Sequence, residues 1–391
     1  MKNKHFETLA IRTQVPQTDH NEHAVPLYLT SSFTFDSAEE GAAIFAGEKE
    51  AYLYSRFSNP NVDEFVRKLA LMENTETGIG TASGMAAVYV SMVAFLKQGD
   101  HIISSSAIFG NTKYILSNIL PGMGVTCTYV DVDDNEAYAK AVQPNTKMLY
   151  VESPSNPTLK MADLAFLGKL CKDNDILFSV DNCFATPYLQ TPKEYGADLI
   201  IHSATKYLDG QGRILGGAIL GSKEVITTCY DFLRRTGSTL SAFNAWILSK
   251  SLETLAVRMD RHCSNALKIA QFLESHPEVE KVTYPGLPSH PQHDLAMKQM
   301  KQGGGLVACI IKGGRERGAK FLNQLQIHSL TANLGDTRSI ATHPASTTHS
   351  KLSEEEQMAV DIMPGLIRFS VGLEHIDDLI QDIDQALTAS K

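Results

Sequence analysis

Two charged residues stand where apolar, strand-like runs end. Lys206 follows the run Leu199–Ile201 after a short polar stretch, and Asp181 directly follows the run Ile176–Val180. A lysine at the end of a buried strand costs free energy unless a partner or a reaction uses it. Taken alone, Lys206 fits a surface lysine whose stem covers apolar neighbours, and Asp181 fits a helix cap or a turn. Because they follow two successive predicted strands, the two residues together predict one common functional site.

A lysine and an aspartate placed in this way can hold pyridoxal phosphate. The amine condenses with the aldehyde of the cofactor, and the carboxylate pairs with the protonated pyridine nitrogen. Burial lowers the pKa of a lysine from its usual value of ~10.4, so that the neutral amine serves as nucleophile and proton carrier. The hypothesis is therefore a pyridoxal phosphate site built on Lys206 and Asp181.

This cofactor also needs a phosphate-binding site, and two segments offer one. Gly84 and Met85 lie where a predicted strand turns into the predicted helix Ala86–Leu96, and a helix N-terminus near a glycine binds anions. Ser203 and Thr205 are two residues apart, so in an extended chain both hydroxyls face the same side, just before the lysine. An ordinary helix cap and ordinary strand-end hydroxyls are the alternatives.

Three further side chains are suited to anionic groups. Tyr54 and Arg56 are two residues apart in the N-terminal segment. They can reach one anion together and need not serve their own subunit; a surface loop is the alternative. Arg368 is a lone arginine in an apolar strand pattern. A buried arginine takes a carboxylate partner, either in a structural ion pair or, in an enzyme acting on amino acids, on the substrate.

The composition excludes several classes of protein. The 391 residues carry a formal net charge of −9, so we expect no positive electrostatic potential that would attract nucleic acid or an anionic membrane. The longest apolar stretch is too short to cross a bilayer, and the first residues lack the apolar segment of a secretory signal. The six cysteines are scattered without the spacing of a zinc site or a disulfide framework. We expect a cytoplasmic protein with no metal, nucleic-acid or membrane partner.

Three regions differ in their hydrophobic periodicity. Residues 1–58 have weak periodicity and predict an extended arm that contacts a neighbouring subunit. Asn59–Pro60 then predicts a capped helix start. Strand-like and helical runs alternate over residues 59–245, which predicts a cofactor-binding α/β domain with a mostly parallel sheet. Residues 246–391 predict a smaller α+β domain.

The strands are predicted from short apolar runs. In the first domain these are residues 78–81, 101–104, 126–130, 148–151, 176–180, 199–201 and 215–220. The last two runs are close together in sequence, so we expect them to form an antiparallel edge of the sheet. In the second domain the predicted strands lie within residues 281–286, 303–312 and 365–374, after a long helical segment over residues 245–276.

The segment around Lys206 and seven other motifs are similar to one known family. The matching residues of that segment are Asp198, Leu199, Ser203, Thr205, Lys206, Tyr207, Gly210 and Gln211. The other motifs are YSRFSNP, ASGMAA, ESPSNPT, VDNCFATP, SLETLAVRM, HPASTTH and IRFSVGLE. From Thr8 to Leu387 the chain resembles the Cys/Met-metabolism pyridoxal phosphate enzymes, a family of sulfhydrylases, synthases and lyases.

The resemblance implies a fold, an assembly and a site. The fold would be aspartate-aminotransferase-like (fold type I), in a homotetramer made of two tight dimers. Lys206 would carry the cofactor and Asp181 would face its pyridine nitrogen. The remaining cofactor contacts would come from Gly84, Met85, Ser203, Thr205, Phe109 and Asn156, with Tyr54 and Arg56 reaching in from the neighbouring subunit. The substrate would be bound by Arg368 and Asn333.

Departures from the family pattern narrow the activity. Gly210–Gln211 replaces the glycine–histidine pair usual in lyases, and Phe109 replaces the tyrosine that most members stack on the cofactor. With the segment from Asn333 to His349, these features resemble the O-succinylhomoserine sulfhydrylase branch most closely. That branch implies γ-replacement, in which an O-acylhomoserine and hydrosulfide give homocysteine. Cystathionine γ-synthesis, γ-elimination from methionine or cystathionine, and a non-catalytic cofactor-binding protein stay open as alternatives.

Arg213 is a candidate contact for the acyl tail of the substrate. It follows the turn DGQG after Lys206, and a succinyl ester carries a distal carboxylate that an acetyl ester lacks. A surface arginine, or one that assists the phosphate, explains the position equally well. The choice between the two esters is therefore left open.

Overall fold

The computed structural model describes residues 4–347, 353–358 and 362–391. Thr348 and His349, the last residues of the motif HPASTTH, lie outside the described residues. The strands are β1 Thr77–Thr81, β2 His101–Ser105, β3 Thr126–Val130, β4 Thr146–Glu152, β5 Leu177–Asp181, β6 Leu199–Ser203, β7 Gly217–Gly221, β8 Val279–Thr283, β9 Leu306–Ile311, β10 Ser329–Leu330, β11 Ile340–Thr342 and β12 Leu366–Ser370.

The helices lie between these strands and at both ends of the chain. They are α1 Phe6–Arg12, α2 Ala38–Phe45, α3 Pro60–Met72, α4 Gly84–Val93, α5 Gly110–Tyr114, α6 Leu120–Gly122, α7 Asn135–Ala141, α8 Leu164–Asp173, α9 Thr186–Leu189, α10 Lys223–Thr236, α11 Ala242–Leu252, α12 Leu255–Ser275, α13 His293–Gln299, α14 Gly314–Gln324, α15 Glu354–Met358 and α16 Ile376–Ala389. Within the described part of the chain, none of them is long and apolar enough to span a bilayer.

The first seven strands form one sheet in the order β1-β7-β6-β5-β4-β2-β3. The pairs β6/β5, β5/β4, β4/β2 and β2/β3 are parallel, as predicted, and β7 is antiparallel to β6. The prediction that β7 lies at the edge is wrong, because β1 pairs with its other side. That pairing joins segments far apart in sequence, which a local apolar pattern does not reveal.

The second sheet has the order β10-β11-β12-β9-β8. Strands β8, β9 and β12 lie within or across the predicted segments, whereas the short strands β10 and β11 were not predicted. The two sheets fall on opposite sides of position 245 in the sequence. The predicted domain boundaries, 1–58, 59–245 and 246–391, stay predictions.

Of two predictions about helices, one agrees with the structure and the other differs from it. Helix α3 begins where Asn59 caps it by accepting the N–H of Asn61 at 2.9 Å. The segment predicted as helical over 245–276 is divided into α11 and α12 by Glu253 and Thr254. Arg258 donates to the Ser251 carbonyl beside this break at 3.0 Å, in addition to the bonds which that carbonyl accepts from Thr254. A side chain reaching back over the break thus compensates for the interrupted helix.

The N-terminal arm has more local structure than the sequence predicts. It carries α1 and α2, and the segments between and after them are largely irregular. Asn61 holds part of it to the body, because its amide group bonds the carbonyl of Pro26 and the N–H of Tyr28, both at 2.8 Å. Leu29 and Phe45 of the arm are each 71% exposed, which leaves apolar surface facing outward.

Candidate active site

The carboxyl ends of three adjacent parallel strands meet at one edge of the large sheet. Glu152, Asp181 and Ser203 are the last residues of β4, β5 and β6. The register pairs Glu152 with Asp181, and Asp181 with Ile201. Ligands bind at such edges in open α/β sheets. The structure therefore brings Asp181 close to the turn that carries Lys206.

Lys206 lies in the turn that follows β6. Its Nζ donates to Oδ1 of Asn333 at 2.6 Å, and its carbonyl accepts the N–H of Gly210 at 2.8 Å. Burial lowers the pKa of Lys206; the Cys183 thiol opposes this shift, and the positive charge of Arg368 adds to it. A lower pKa increases the fraction of neutral amine, the form that attacks a carbonyl carbon.

Arg258 of α12 fixes the backbone just after Lys206. Its Nη1 donates to the carbonyl of Tyr207 at 2.6 Å, and its Nη2 reaches the carbonyl of Leu208 at 3.4 Å. The sequence analysis did not single out Arg258, although it lies in the motif SLETLAVRM. An arginine among apolar helix residues is the signal that could have identified it.

Asp181 is held by neutral donors in the described part of the chain. Its Oδ1 accepts the N–H of Cys183 at 2.9 Å, and the hydroxyl of Tyr150 lies 3.4 Å from Oδ2. Burial raises the pKa of Asp181 to about 6, against the opposing effects of the Cys183 hydrogen bond and the charge of His202. A partly buried carboxylate with such donors is suited to a cationic partner.

Helix α4 begins directly against the end of β6. Ser83 caps it by accepting the N–H of Ala86 at 3.1 Å. A Cβ added to Gly84 would lie 2.5 Å from Cβ and 2.9 Å from Cα of Ser203, so only glycine permits this approach. The first N–H groups of α4, in the turn that contains Met85, thus lie beside Ser203 and can bind an anion.

Thr205 is engaged with the neighbouring chain segment. Its hydroxyl accepts the N–H of Gly216 at 3.1 Å and lies 3.3 Å from the carbonyl of the same residue. These bonds hold the turn before Lys206 close to the chain that enters β7. The phosphate contact predicted for Thr205 stays a prediction.

Arg368 is buried in β12 and has an unusual set of partners. Its Nη1 donates to Oδ1 of Asn156 at 2.9 Å, and its Nη2 donates to the carbonyl of Asn333 at 3.3 Å. Nε is buried and has no hydrogen-bond partner among the described residues. Burial lowers the pKa of Arg368 to about 10, against an opposing effect of Tyr207. A guanidinium with neutral partners and an unused N–H is suited to a carboxylate.

Asn333 and Asn156 connect the two sheets through this arginine. Asn333 accepts from Lys206 through its side chain and from Arg368 through its carbonyl. The structural ion pair considered for Arg368 is not formed within the described chain, where its partners are amide groups. The candidate substrate-binding and cofactor-binding residues therefore form one connected network.

Phe109 caps the N-terminus of α5 and presents a ring that is 45% exposed. Its N–H donates to Oε1 of Glu152 at 2.9 Å. The sequence analysis quoted Glu152 only as part of a motif. Its signal is a charged residue that ends an apolar strand, as Asp181 does. Burial and, after it, the charge of Asp181 together raise the pKa of Glu152 to about 8.

Tyr54 and Arg56 contact another part of the chain. The Arg56 guanidinium donates to the carbonyl of Arg234 near the end of α10. It also lies 5.3 Å from the centroid of the Tyr54 ring and 4.9 Å from that of Phe57. Among the described residues, no hydrogen bond links this pair to Lys206 or Asp181. Their predicted reach into a neighbouring subunit stays a prediction.

Arg213 is held by a buried carboxylate. Its Nη2 and Nε lie 2.7 and 3.0 Å from Oδ1 of Asp209, and its N–H donates to Oδ2 at 2.9 Å. It also donates to the hydroxyl of Ser251. Binding an acyl tail requires this guanidinium to share or leave Asp209, and the tail contact stays a prediction.

Comparison with known proteins identifies the family. A family model described as "Cys/Met metabolism PLP-dependent enzyme" matches residues 7–388. The chain belongs to this family. Lys206, Asp181 and Arg368 all lie within the matched region, and the cofactor of the family is pyridoxal phosphate.

Individual Cys/Met metabolism enzymes are similar over nearly the whole chain. The O-succinylhomoserine sulfhydrylase of Pseudomonas aeruginosa is 44% identical, with 98% of this chain and 95% of that protein covered. The L-methionine gamma-lyase of Pseudomonas putida is 43% identical, with 98% of each chain covered. A Campylobacter jejuni protein crystallised with N′-pyridoxyl-lysine-5′-monophosphate has a TM-score of 0.94 and 35% identity, covering 98% of this chain and all of that one. The fold type I prediction is confirmed.

The site fits the cofactor of the Cys/Met metabolism enzymes. The glycine at the start of α4 lets the helix N-terminus pack directly against Ser203, an approach that a Cβ would block. Asp181 offers a partly buried carboxylate without a cationic partner among its hydrogen-bond donors, and Lys206 offers an amine with a lowered pKa. Phosphate, pyridinium nitrogen and aldehyde thus each have a complementary group at one edge of the sheet.

Replacing Gly84 with alanine tests the approach of α4 to β6. We expect Gly84→Ala to weaken pyridoxal phosphate binding about tenfold, or 1.4 kcal/mol, because the new methyl group pushes the helix N-terminus away from Ser203. The dissociation constant is measured by absorbance titration of the cofactor-free enzyme. Gly122→Ala in α6 is the control, since its Cβ would meet open space. Equal affinities in both variants would contradict the role of this contact.

Proposed function

We propose that this enzyme catalyses γ-replacement, converting O-succinylhomoserine or O-acetylhomoserine and hydrosulfide to homocysteine and the free acid, in methionine biosynthesis. The observation that carries the proposal is Phe109, whose N–H donates to Glu152 at the same edge of the sheet and whose side chain has no phenol hydroxyl. Similarity to the sulfhydrylase of Pseudomonas aeruginosa supports it. In the reaction the Cγ–O bond of the ester breaks, a Cγ–S bond forms, and the acyl group leaves as a carboxylate.

Lys206 is the proposed acid–base residue of this reaction. Its lowered pKa supplies a neutral amine that takes one proton from Cα and one from Cβ of the substrate and returns both after sulfide has added at Cγ. Bound pyridoxal phosphate supplies an electron sink for the carbon acid. Asp181 stabilises the positive charge on the pyridine nitrogen, and Asn333 orients the Lys206 amine through their hydrogen bond.

Arg368 is the proposed site for the α-carboxylate of the substrate. Its unused Nε and its weakly bonded Nη2 lie on the guanidinium that the Asn156 amide holds in place. A bidentate pair with a carboxylate suits this planar group. Because Asn333 contacts both Lys206 and Arg368, substrate binding and proton transfer take place side by side.

The proposed phosphate site is shared between subunits. Gly84, Met85, Ser203 and Thr205 supply the contacts from one chain, and Tyr54 and Arg56 supply the others from its neighbour. The exposed position of Tyr54 in the arm, at 42% exposure, supports this arrangement. We infer a cytoplasmic homotetramer built as a dimer of dimers.

Methionine γ-elimination is the second candidate activity, because the methionine gamma-lyase of Pseudomonas putida is 43% identical to this chain. The two activities differ in the leaving group. A carboxylate leaves as a stable anion, whereas a thiolate leaving from a thioether gains more from a proton donor. Phe109 has no hydroxyl to donate such a proton, so the site favours the acyl ester.

Product analysis tests the proposal directly. With hydrosulfide and either ester, we expect homocysteine as the product, and Lys206→Ala should lose at least about a hundredfold in kcat because the proton carrier is missing. Lys140→Ala, an exposed residue of α7, is the control. The change in cofactor absorbance on adding the ester shows whether substrate still binds. Near-wild-type turnover by Lys206→Ala would overturn the assignment of this lysine.

Mixed dimers test the sharing of the phosphate site. We expect Arg56→Ala and Lys206→Ala subunits to be weak separately and to form one intact site when combined in a hybrid dimer, because each intact residue then comes from a different chain. Recovered activity is measured on hybrids purified with two affinity tags. Hybrids of Lys206→Ala with Asp181→Asn are the control, since both of those residues belong to the same chain's site. Absence of recovery in the first hybrid would rule out sharing.

The substitution Phe109→Tyr tests the leaving-group argument. We expect it to raise thioether elimination relative to acyl replacement, because the new phenol can protonate a departing thiolate. The measurement is the ratio of the two kcat/KM values in the wild type and the variant, read as a difference in barrier. Phe243→Tyr, at an exposed phenylalanine of α11, is the control. A wild type that cleaves methionine as fast as it replaces acyl groups would favour the lyase reading.

A further inference from the structure

Two carboxyl groups and one phenol form a cluster at the ends of β4 and β5, in which Tyr150 and Glu152 are buried and Asp181 is partly buried. Tyr150 and Glu152 are two residues apart on β4 and therefore share a face of the sheet, and Glu152 pairs with Asp181 in the ladder. The Tyr150 hydroxyl lies 3.4 Å from Oε1 of Glu152 and 3.4 Å from Oδ2 of Asp181. Of these three residues, only Asp181 has a role in the reaction proposed above.

Glu152 also determines where Phe109 lies. The Phe109 N–H donates to its Oε1 at 2.9 Å, which joins the start of α5 to the end of β4. Because Phe109 is 45% exposed, packing within the described chain covers only part of it. The backbone anchor at Glu152 therefore contributes much of its placement.

We propose that Glu152 is a positioning residue that anchors Phe109 over the cofactor through the main chain and, by carrying the proton of the carboxyl pair, leaves Asp181 as the anion that faces the pyridine nitrogen. This inference rests on the proposed function only in placing Phe109 and Asp181 against the cofactor. Glu152 acts through those two residues and not by its own contact with substrate or cofactor.

The geometry of the cluster explains why one proton is retained. The Tyr150 hydroxyl has a single proton and can donate it to only one of the two carboxyl groups. Two neighbouring buried carboxyl groups do not both ionise at low cost, and the pair titrates as a unit. Each carboxyl accepts one main-chain N–H, that of Cys183 at Asp181 and that of Phe109 at Glu152, and His202 additionally favours the anionic form of Asp181.

The direction of the pKa shifts agrees with this assignment. Burial raises the pKa of Glu152 to about 8 and that of Asp181 to about 6, so near neutral pH the shared proton lies on Glu152. The other titratable groups around the pair are Tyr150 and, on the side of β6, Cys183, His202 and Lys206. A pyridinium nitrogen needs one anionic partner. When Glu152 is neutral, Asp181 is the one anion of the carboxyl pair.

Two substitutions at Glu152 separate its hydrogen bond from its charge. Glutamine keeps a side-chain oxygen that can accept the Phe109 N–H and imitates the neutral acid, whereas alanine removes the acceptor. We expect Glu152→Ala to lose the visible circular dichroism of bound pyridoxal phosphate and about ten- to a hundredfold in kcat, with a smaller change in KM, because a misplaced aromatic ring disturbs the reacting geometry. We expect Glu152→Gln to recover most of both signals.

The controls distinguish positioning from general stability. Thermal unfolding of the cofactor-free forms reports any fold defect, and the spectra are recorded without substrate, so they do not depend on which replacement reaction the enzyme performs. A Glu152→Gln variant as defective as Glu152→Ala would overturn the proposal, since the ionised form would then be required. Wild-type dichroism in Glu152→Ala would also overturn it. Failure of wild-type homocysteine synthesis would instead reject the proposed function alone.

Discussion

The parallel register of β4, β5 and β6 is the constraint on which the site depends. It aligns the carboxyl ends of three strands, so that Glu152, Asp181 and the turn after Ser203 meet at one edge. A parallel arrangement requires helical crossovers, and the helices cover both faces of the sheet. Polar side chains can then lie side by side at the strand ends, next to the last backbone hydrogen bonds of the sheet.

The charged groups at this edge are held mostly by neutral partners. Asp181 is bonded by a main-chain N–H, Lys206 by the amide of Asn333, and Arg368 by an amide and a carbonyl. Buried charges with such partners are costly. The burial-driven shifts of their pKa values reflect this cost, and a cofactor and substrate of complementary charge offset it.

The second sheet completes a site that the first sheet begins. Arg368 lies in the central strand of the second sheet, and Asn333 precedes β11. Asn333 nevertheless accepts hydrogen bonds from both Lys206 and Arg368. Arg258 of α12 holds the turn after Lys206 by donating to the carbonyl of Tyr207. Because Asn333 links Lys206 to Arg368, the distance between these two side chains depends on how the two sheets pack.

Local patterns in the sequence were enough to predict the strands of the large sheet, the start of α3 and the family, because apolar runs, caps and motifs are read from neighbouring residues. The charge of Lys206, Asp181 and Arg368 at strand ends or within a strand also identified these residues. The position of β7 inside the sheet, the pairing of Arg213 with Asp209 and the place of Glu152 beside Asp181 became visible in the folded chain. Those features depend on pairing and contact between distant segments, which burial and register decide and local sequence does not record.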